Sequence, residues 1–381
     1  MIARSHAAMQ RHSGAREWLI GLALALASIL LPFAIGEGVL RLLAPAPDTR
    51  GLFADAPDSK LETRGVPHAR GVYAGAPVEL NRLGMRDREF TEPKPPNTLR
   101  IVVLGDSMTF GQGAPQDRVW PRVLETELAR LLPANAGHVE VLNLAVPGYN
   151  TIQELATLRE TGLALHPDVI LLGFFYNDVE LTPRELARLH PGAATPAADV
   201  RSPVNRAITA LKEHSMVFAY LSPRIGAVMR RFGGKGYGQA ASYNALYAPG
   251  AEGWTLTRDA LLEMKGVAMQ AGAGFAVVVL PAMVNCSPQT YPMQAYHDAL
   301  REFTHAQGIE SVDLLESLRS VDFSRMWVNP TDGHPDAQAH RLLGEAAARG
   351  LAPYLAAEAA RRTRATSASN SPRSFWKIAT K

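Results

Sequence analysis

Ser107, His334 and Asp332 are the residue types of a nucleophile, a base and an orienting acid. A serine hydroxyl attacks only when a base takes its proton and the developing oxyanion is held by donors. Ser107 stands in Gly105-Asp106-Ser107, straight after the apolar run Ile101–Leu104, and an amphipathic segment follows from Arg118 to Leu132. The pattern reads as a buried strand that stops abruptly with a serine at its carboxyl end. Open α/β sheets place their chemistry at that edge. Gly-Asp-Ser is also an ordinary turn, so the serine needs partners.

Three downstream stretches supply them. Gly148 falls in Asn143-Leu-Ala-Val-Pro-Gly148-Tyr-Asn150, after a second apolar run, where a glycine lets backbone approach a ligand and offers its N–H. Asn177 follows a third run in Phe174-Phe-Tyr-Asn177-Asp178; its side chain suits an oxyanion donor and equally a cap for the next segment. Asn329-Pro-Thr-Asp332-Gly-His334-Pro-Asp336 precedes a helix opening at Ala337, so His334 can reach the same edge. His68, His166, His190, His297 and His305 read as surface residues, and His340 as structural on the last helix face. No metal-ligand spacing or dinucleotide-type glycine pattern occurs, so no metal or nucleotide cofactor is expected. Lys235 in the glycine-rich Gly233–Gly238 lacks both the Walker spacing and a preceding strand.

The elements that must position these residues alternate. Strands are expected at Ile101–Leu104, Val139–Leu144, Val169–Phe174, Phe275–Leu280 and Ile309–Leu314. Helices are expected at Trp120–Leu132, Thr151–Leu165, Thr257–Ala271, Tyr291–Gln307 and Ala337–Ala357. Continuous apolar strands between amphipathic helices imply a mostly parallel sheet covered on both faces. Residues 181–254 interrupt the rhythm as an insertion, with a helical piece around Val204–Arg231. Residues 41–99 read as linker and collar: 42–80 lack periodicity, and Asn81–Phe90 forms the ordered collar. The basic, Ser/Thr-rich stretch 361–381 is expected to be disordered.

The chain has 381 residues, 47% of them hydrophobic, which suffices for a full core. Its net charge of +3 is not gathered into a basic stripe, so no nucleic-acid partner is expected. Cys286 is the single cysteine, which excludes an intramolecular disulfide, a cysteine-based zinc cluster and a lipoprotein anchor.

Trp18–Gly36 carries no charge and as a helix would span about 28 Å, close to the hydrocarbon thickness of a bilayer. Pro32 is tolerated in such a span. Arg4, Arg11 and Arg16 precede it and favour a cytoplasmic amino terminus, although Arg41 and Arg50 follow. The expectation is a cytoplasmic segment 1–17, a retained single-pass anchor 18–40 and a periplasmic domain. A cleaved signal peptide, processed near Ala44-Pro45-Ala46, is the rival reading. Glu37 and Arg41 are spaced to pair on one helix face.

Taken together, the four blocks resemble the SGNH (GDSL-type) hydrolase superfamily, in that family's order and over roughly Arg100–Leu355. The resemblance implies a flavodoxin-like three-layer α/β/α sandwich on a five-stranded, mostly parallel sheet, within a hydrolase domain at 100–360. It implies Ser107 as nucleophile, His334 as base and Asp332 as its partner. The backbone N–H groups of Ser107 and Gly148 and the Asn177 amide would form the oxyanion hole. One departure is Asp332-Gly-His334, where the usual block is D-x-x-H. Some branches linked to polysaccharide O-acetylation use the shorter spacing, and a backbone carbonyl could orient His334 in place of Asp332. The first block also has Met108 where the family motif has leucine. Asn81–Asp87 and the anchor resemble a membrane-anchored bacterial subgroup, with Arg86 and Asp87 bracing the collar. The expected activity is that of a serine esterase or O-deacylase on an acylated small molecule, lipid or glycan. An O-acyltransferase acting on an envelope polysaccharide is the alternative, and a non-catalytic envelope module a third.

Overall fold

Thr98–Gly105 (β5) is buried at every residue. A strand without a polar face must be covered on both sides. In the computed structural model, which describes residues 3–43, 51–56, 60–191, 211, 215, 217–218, 221, 238–329 and 332–369, it lies inside a five-stranded sheet. The other strands are His138–Asn143 (β6), Val169–Phe174 (β7), Gly274–Val279 (β8) and Glu310–Asp313 (β9). Their order is β6-β5-β7-β8-β9 and every pairing is parallel. This is the flavodoxin-like 2-1-3-4-5 order, in which the chain changes direction across the sheet between its first and third strands. The carboxyl ends of β5 and β7 therefore flank the crevice.

Helices complete the three-layer sandwich. Trp120–Leu131 packs against Ala337–Ser369, and Thr151–Thr157 packs against Glu252–Gln270. Trp120, Leu124 and Leu128, four residues apart, form the buried stripe of the first of these. Each such side chain contributes about 1.5–3 kcal/mol by leaving water. Val119 provides no side-chain cap; instead the Trp120 N–H donates to His340 Nδ1 at 3.2 Å. Burial, followed by the Arg86 and His334 charges, pushes His340 down to about 3, so it is a neutral structural residue as expected.

Three expectations need correction. Residues 42–80 are not merely linker. Phe53–Asp55 (β1) pairs with Thr63–Gly65 (β2), and Arg70–Tyr73 (β3) with Ala76–Glu79 (β4). Strands of three or four residues are too short to show alternation, and Leu52, Val78 and Leu80 bury in one cluster with Phe110 and Ala145. Second, the last helix continues to Ser369 through the expected disordered tail, because Arg361 donates to Gly272 O and Arg362 to Ala136 O, both at 2.8 Å; 370–381 lie outside the described residues. Third, His297 is buried between Asp313 and the Tyr291 hydroxyl, at 2.8 and 2.9 Å. Within the insertion, Pro183–Leu189 and Gly238–Leu246 are helical, whereas most of Val204–Arg231 lies outside the described residues.

The chain divides into two units, 1–47 with 196–226, and 48–195 with 227–381. The sandwich and collar belong to the second. In the first, Ala3–Leu43 is one helix, and Ile20–Leu42 (mean hydropathy 2.0) is long and apolar enough to cross a membrane, a test a signal sequence also passes. Arg41 Nε does reach Glu37 Oε1, at 2.7 Å, while Glu37 Oε2 accepts from Ser215 Oγ and the Val217 N–H.

Candidate active site

Ser107 opens a four-residue helix, Ser107–Phe110, at the end of β5. Asp106 caps it, with Oδ1 accepting the Met108 N–H at 2.8 Å. The helix folds back on the strand so closely that a Cβ on Gly105 would lie 2.4 Å from Thr109 Oγ1; only glycine fits. At the other end Gly111, at φ +82°, donates to Ser107 O.

The carbonyls left over at that end are taken by Arg86 of the collar. Its Nη1 donates to Phe110 O at 2.8 Å and Gly111 O at 2.5 Å, and its Nη2 to Ala114 O at 2.6 Å. Burial pulls its pKa down to about 10, so the guanidinium is charged at neutral pH. The Asp87 carboxylate accepts from the Asn143 N–H at 2.8 Å and from Arg122 Nη2 at 3.0 Å. Asn143 Nδ2 in turn donates to Thr109 O at 3.0 Å. The collar thus ties the serine turn to the end of β6. Phe53, Tyr73 and Phe110 close the contact, with ring centroids 5.7–5.9 Å apart.

His334 arrives on a hairpin, Trp327–Asn329 (β10) paired antiparallel with Asp332–Pro335 (β11). Trp327 Nε1 fixes one arm by donating to Met283 O at 2.7 Å. His334 Nε2 is 2.8 Å from Ser107 Oγ, and its Nδ1 is 2.5 Å from Asp332 Oδ1. The D-x-H spacing explains itself here: on a strand, residues two apart face the same side. With Nδ1–H donating to Asp332, Nε2 is left as the acceptor toward serine. Gln112 Nε2 donates to Asp332 Oδ2 at 3.1 Å and sits 3.1 Å from His334 Nδ1. Burial works against ionisation of Asp332, but the hydrogen bonds from His334 and Gln112 outweigh it and hold its pKa below the ordinary carboxylate value.

Asn177 follows β7 with its amide near the Asp106 carboxylate, while its Oδ1 is buried with no partner among the described residues. Ser107, Asn177, Asp332 and His334 all line one cavity of about 420 Å3, walled by Phe175, Tyr176, Tyr243, Met283 and Trp327. Gly148, at φ +80°, is exposed on the loop after β6 and does not line that cavity. A larger cavity, about 760 Å3, opens beside the collar and holds none of these residues.

Beneath Ser107, Asp106 shares the interior with Glu154 and Asp178, all at most 1% exposed. Burial, then neighbouring carboxylates, pushes Glu154 and Asp178 well up. Neither Glu154 oxygen has a hydrogen-bond partner among the described residues. No group of three or more His, Cys, Asp or Glu among the described residues could hold a metal ion. Gln112 and Glu154 escaped sequence reasoning. Gln112 lies in the same glycine-rich stretch as Ser107, but its partners return more than two hundred residues later.

A model of the GDSL-like lipase/acylhydrolase family matches residues 103–342, more than half of the chain. The chain belongs to this family. It is accordingly a hydrolase acting on esters, and the matched segment runs from β5 into the last helix. No curated protein matches this family member. Solved structures similar to it include the lipase/acylhydrolase from Enterococcus faecalis, at 15% identity and TM-score 0.38, covering 67% of this chain and 96% of that one. An acetylxylan esterase from Geobacillus stearothermophilus has 13% identity and TM-score 0.38, covering 66% and 93%. TesA has 16% identity and TM-score 0.37, covering 67% and 98%.

Proposed function

We propose that this GDSL-like protein is a serine esterase or O-deacylase with Ser107 as nucleophile, His334 as general base and Asp332 as the acid that orients it. The 2.8 Å contact between Ser107 Oγ and His334 Nε2 carries the reading. Nε2 takes the hydroxyl proton as Oγ bonds to the ester carbonyl carbon. The resulting imidazolium is stabilised by Asp332, itself steadied by Gln112. The oxyanion is held by the backbone N–H of Ser107 and by Asn177 Nδ2, an amide nitrogen with two hydrogens to donate. The Gly148 N–H, on the exposed loop after β6, is the third donor this reading assigns. His334 then returns the proton to the departing alcohol oxygen as the carbon–oxygen bond breaks, and water repeats the sequence on the acyl-enzyme.

Ser107→Ala should abolish hydrolysis of p-nitrophenyl acetate while leaving the melting temperature near that of the wild type. Full activity in that variant would sink the assignment. Release of the acyl group as free acid supports hydrolysis; its appearance on a sugar hydroxyl would assign transfer instead. In this reading residues 1–17 are cytoplasmic, 18–40 form the retained anchor, and the domain at 100–360, carrying the insertion 181–254, faces the periplasm. An intact amino terminus on the membrane-bound protein supports the anchor, and a new terminus near Ala46 would replace it with a signal peptide.

A further inference from the structure

The charges around the Ser107 cavity are one-sided. Asp106, Glu180 and Asp332 line it, and no Lys or Arg does so among the described residues. Asp332 is paired to His334 and Asp106 is fully buried as a helix cap, but Glu180 is exposed. No Lys or Arg among the described residues pairs with it, whereas Glu79, Glu125, Glu160 and Glu263 each meet an arginine.

Glu180 is held in place. Its N–H donates to Asn177 O at 2.8 Å, and its own carbonyl accepts from Asn150 Nδ2 at 2.9 Å. The backbone that sets Asn177 therefore also sets Glu180. Tyr243 lines the same cavity near the Glu180 carboxylate, and its ring stands against Tyr176 at 4.5 Å between centroids. A carboxylate pinned at the mouth of an aromatic-walled pocket acts on what enters. Its field repels an anionic group on the ester, tolerates a neutral one and attracts a cationic one.

We propose that Glu180 makes the cavity selective by charge, admitting esters of uncharged or cationic alcohols and disfavouring anionic ones. The proposal rests on Ser107 being the nucleophile of this cavity. It identifies the alcohol side of the substrate as a neutral polyol or sugar, or an amino alcohol, rather than a phosphate-, sulfate- or carboxylate-bearing one.

The test uses the full chain in neutral detergent and the acetate esters of choline, of 3,3-dimethylbutanol, its uncharged isostere, and of 3-hydroxypropanesulfonate. Values of kcat/KM are divided by the hydroxide-catalysed rates so that intrinsic reactivity cancels. In the wild type the sulfonate ester should lag the neutral one by about 5- to 20-fold at low salt, the scale of one like charge at a partly solvated mouth. The lag should shrink at high salt. Glu180→Gln should bring that ratio near one, and Glu180→Lys should invert it. The ratio is the readout rather than either rate alone, so a partly impaired variant still decides the matter. An unchanged ratio in Glu180→Gln, or a wild type that prefers the sulfonate ester, would overturn the proposal. Hydrolysis of all three esters that survives Ser107→Ala would instead overturn the reading of the nucleophile.

Discussion

The two halves of the site are built differently. The serine half grows out of β5, whose eight residues are all buried, and its turn is clamped by a buried guanidinium on three carbonyls. The histidine half stands on the β10–β11 hairpin, where every residue from Trp327 to Asn329 and from Asp332 to His334 is at least partly exposed. Gln112 donates a hydrogen bond to it, and Trp327 donates one from it to the Met283 carbonyl. The fold positions Ser107; local hydrogen bonds position His334. Damage to the clamp that holds the serine turn should appear as lost stability, and damage to the hydrogen bonds of the histidine half as lost turnover.

Asp332→Asn is the sharpest probe of the second half. It should lower kcat by roughly 10²–10⁴, because the amide no longer fixes the imidazole tautomer or stabilises its positive charge. Calorimetry should find the melting temperature almost unmoved. Arg86→Met probes the first half. Leaving those carbonyls buried without their donor should cost about 3–5 kcal/mol in urea titrations, which is roughly 6–20 °C in melting temperature for a domain of this size. A stable but inactive Arg86→Met protein would break the comparison, since the collar would then be serving chemistry alone.

Gln112→Leu should have a smaller effect, about a tenfold loss in kcat with KM unchanged, as expected for one hydrogen bond to a charged group. A fall in stability comparable with that of Arg86→Met would mean that the hairpin, too, is held by the fold.

The smallest effect is expected from Glu154→Gln, beneath the serine. Burial raises the Glu154 pKa well above its ordinary 4.5. Below that value the folded and unfolded chains both carry the proton, and nothing is lost. As pH rises past it the unfolded chain ionises first, so stability declines until the folded pKa is passed. Removing the group should flatten stability against pH by at most about 1.4 kcal/mol per unit above pH 4.5. An identical slope in the variant would show that Glu154 does not carry a proton in the folded protein.

The same contrast explains what the sequence could reveal. Parallel strands covered on both faces appear as continuous apolar runs, so β5 to β9 were visible within a residue or a few at each end, and so were the polar residues at their carboxyl ends. Ser107, Asn177 and His334 follow from that pattern together with the family motifs. The collar was not visible as structure, because β1 to β4 are three or four residues long and their apolar side chains find partners on Phe110. Gln112 was hidden because its meaning depends on a hairpin returning from the far end of the chain. His297 looked like a surface residue because its partners, Tyr291 and Asp313, lie on separate segments that meet only in the folded protein.

The most direct measurement of the central claim is labelling of the intact protein with a fluorophosphonate, followed by mass spectrometry of the modified peptide. A serine activated by His334 should carry the phosphonyl group on Ser107 alone, with labelling lost in both Ser107→Ala and His334→Ala. An adduct on another serine, or labelling that persists in Ser107→Ala, would contradict the account.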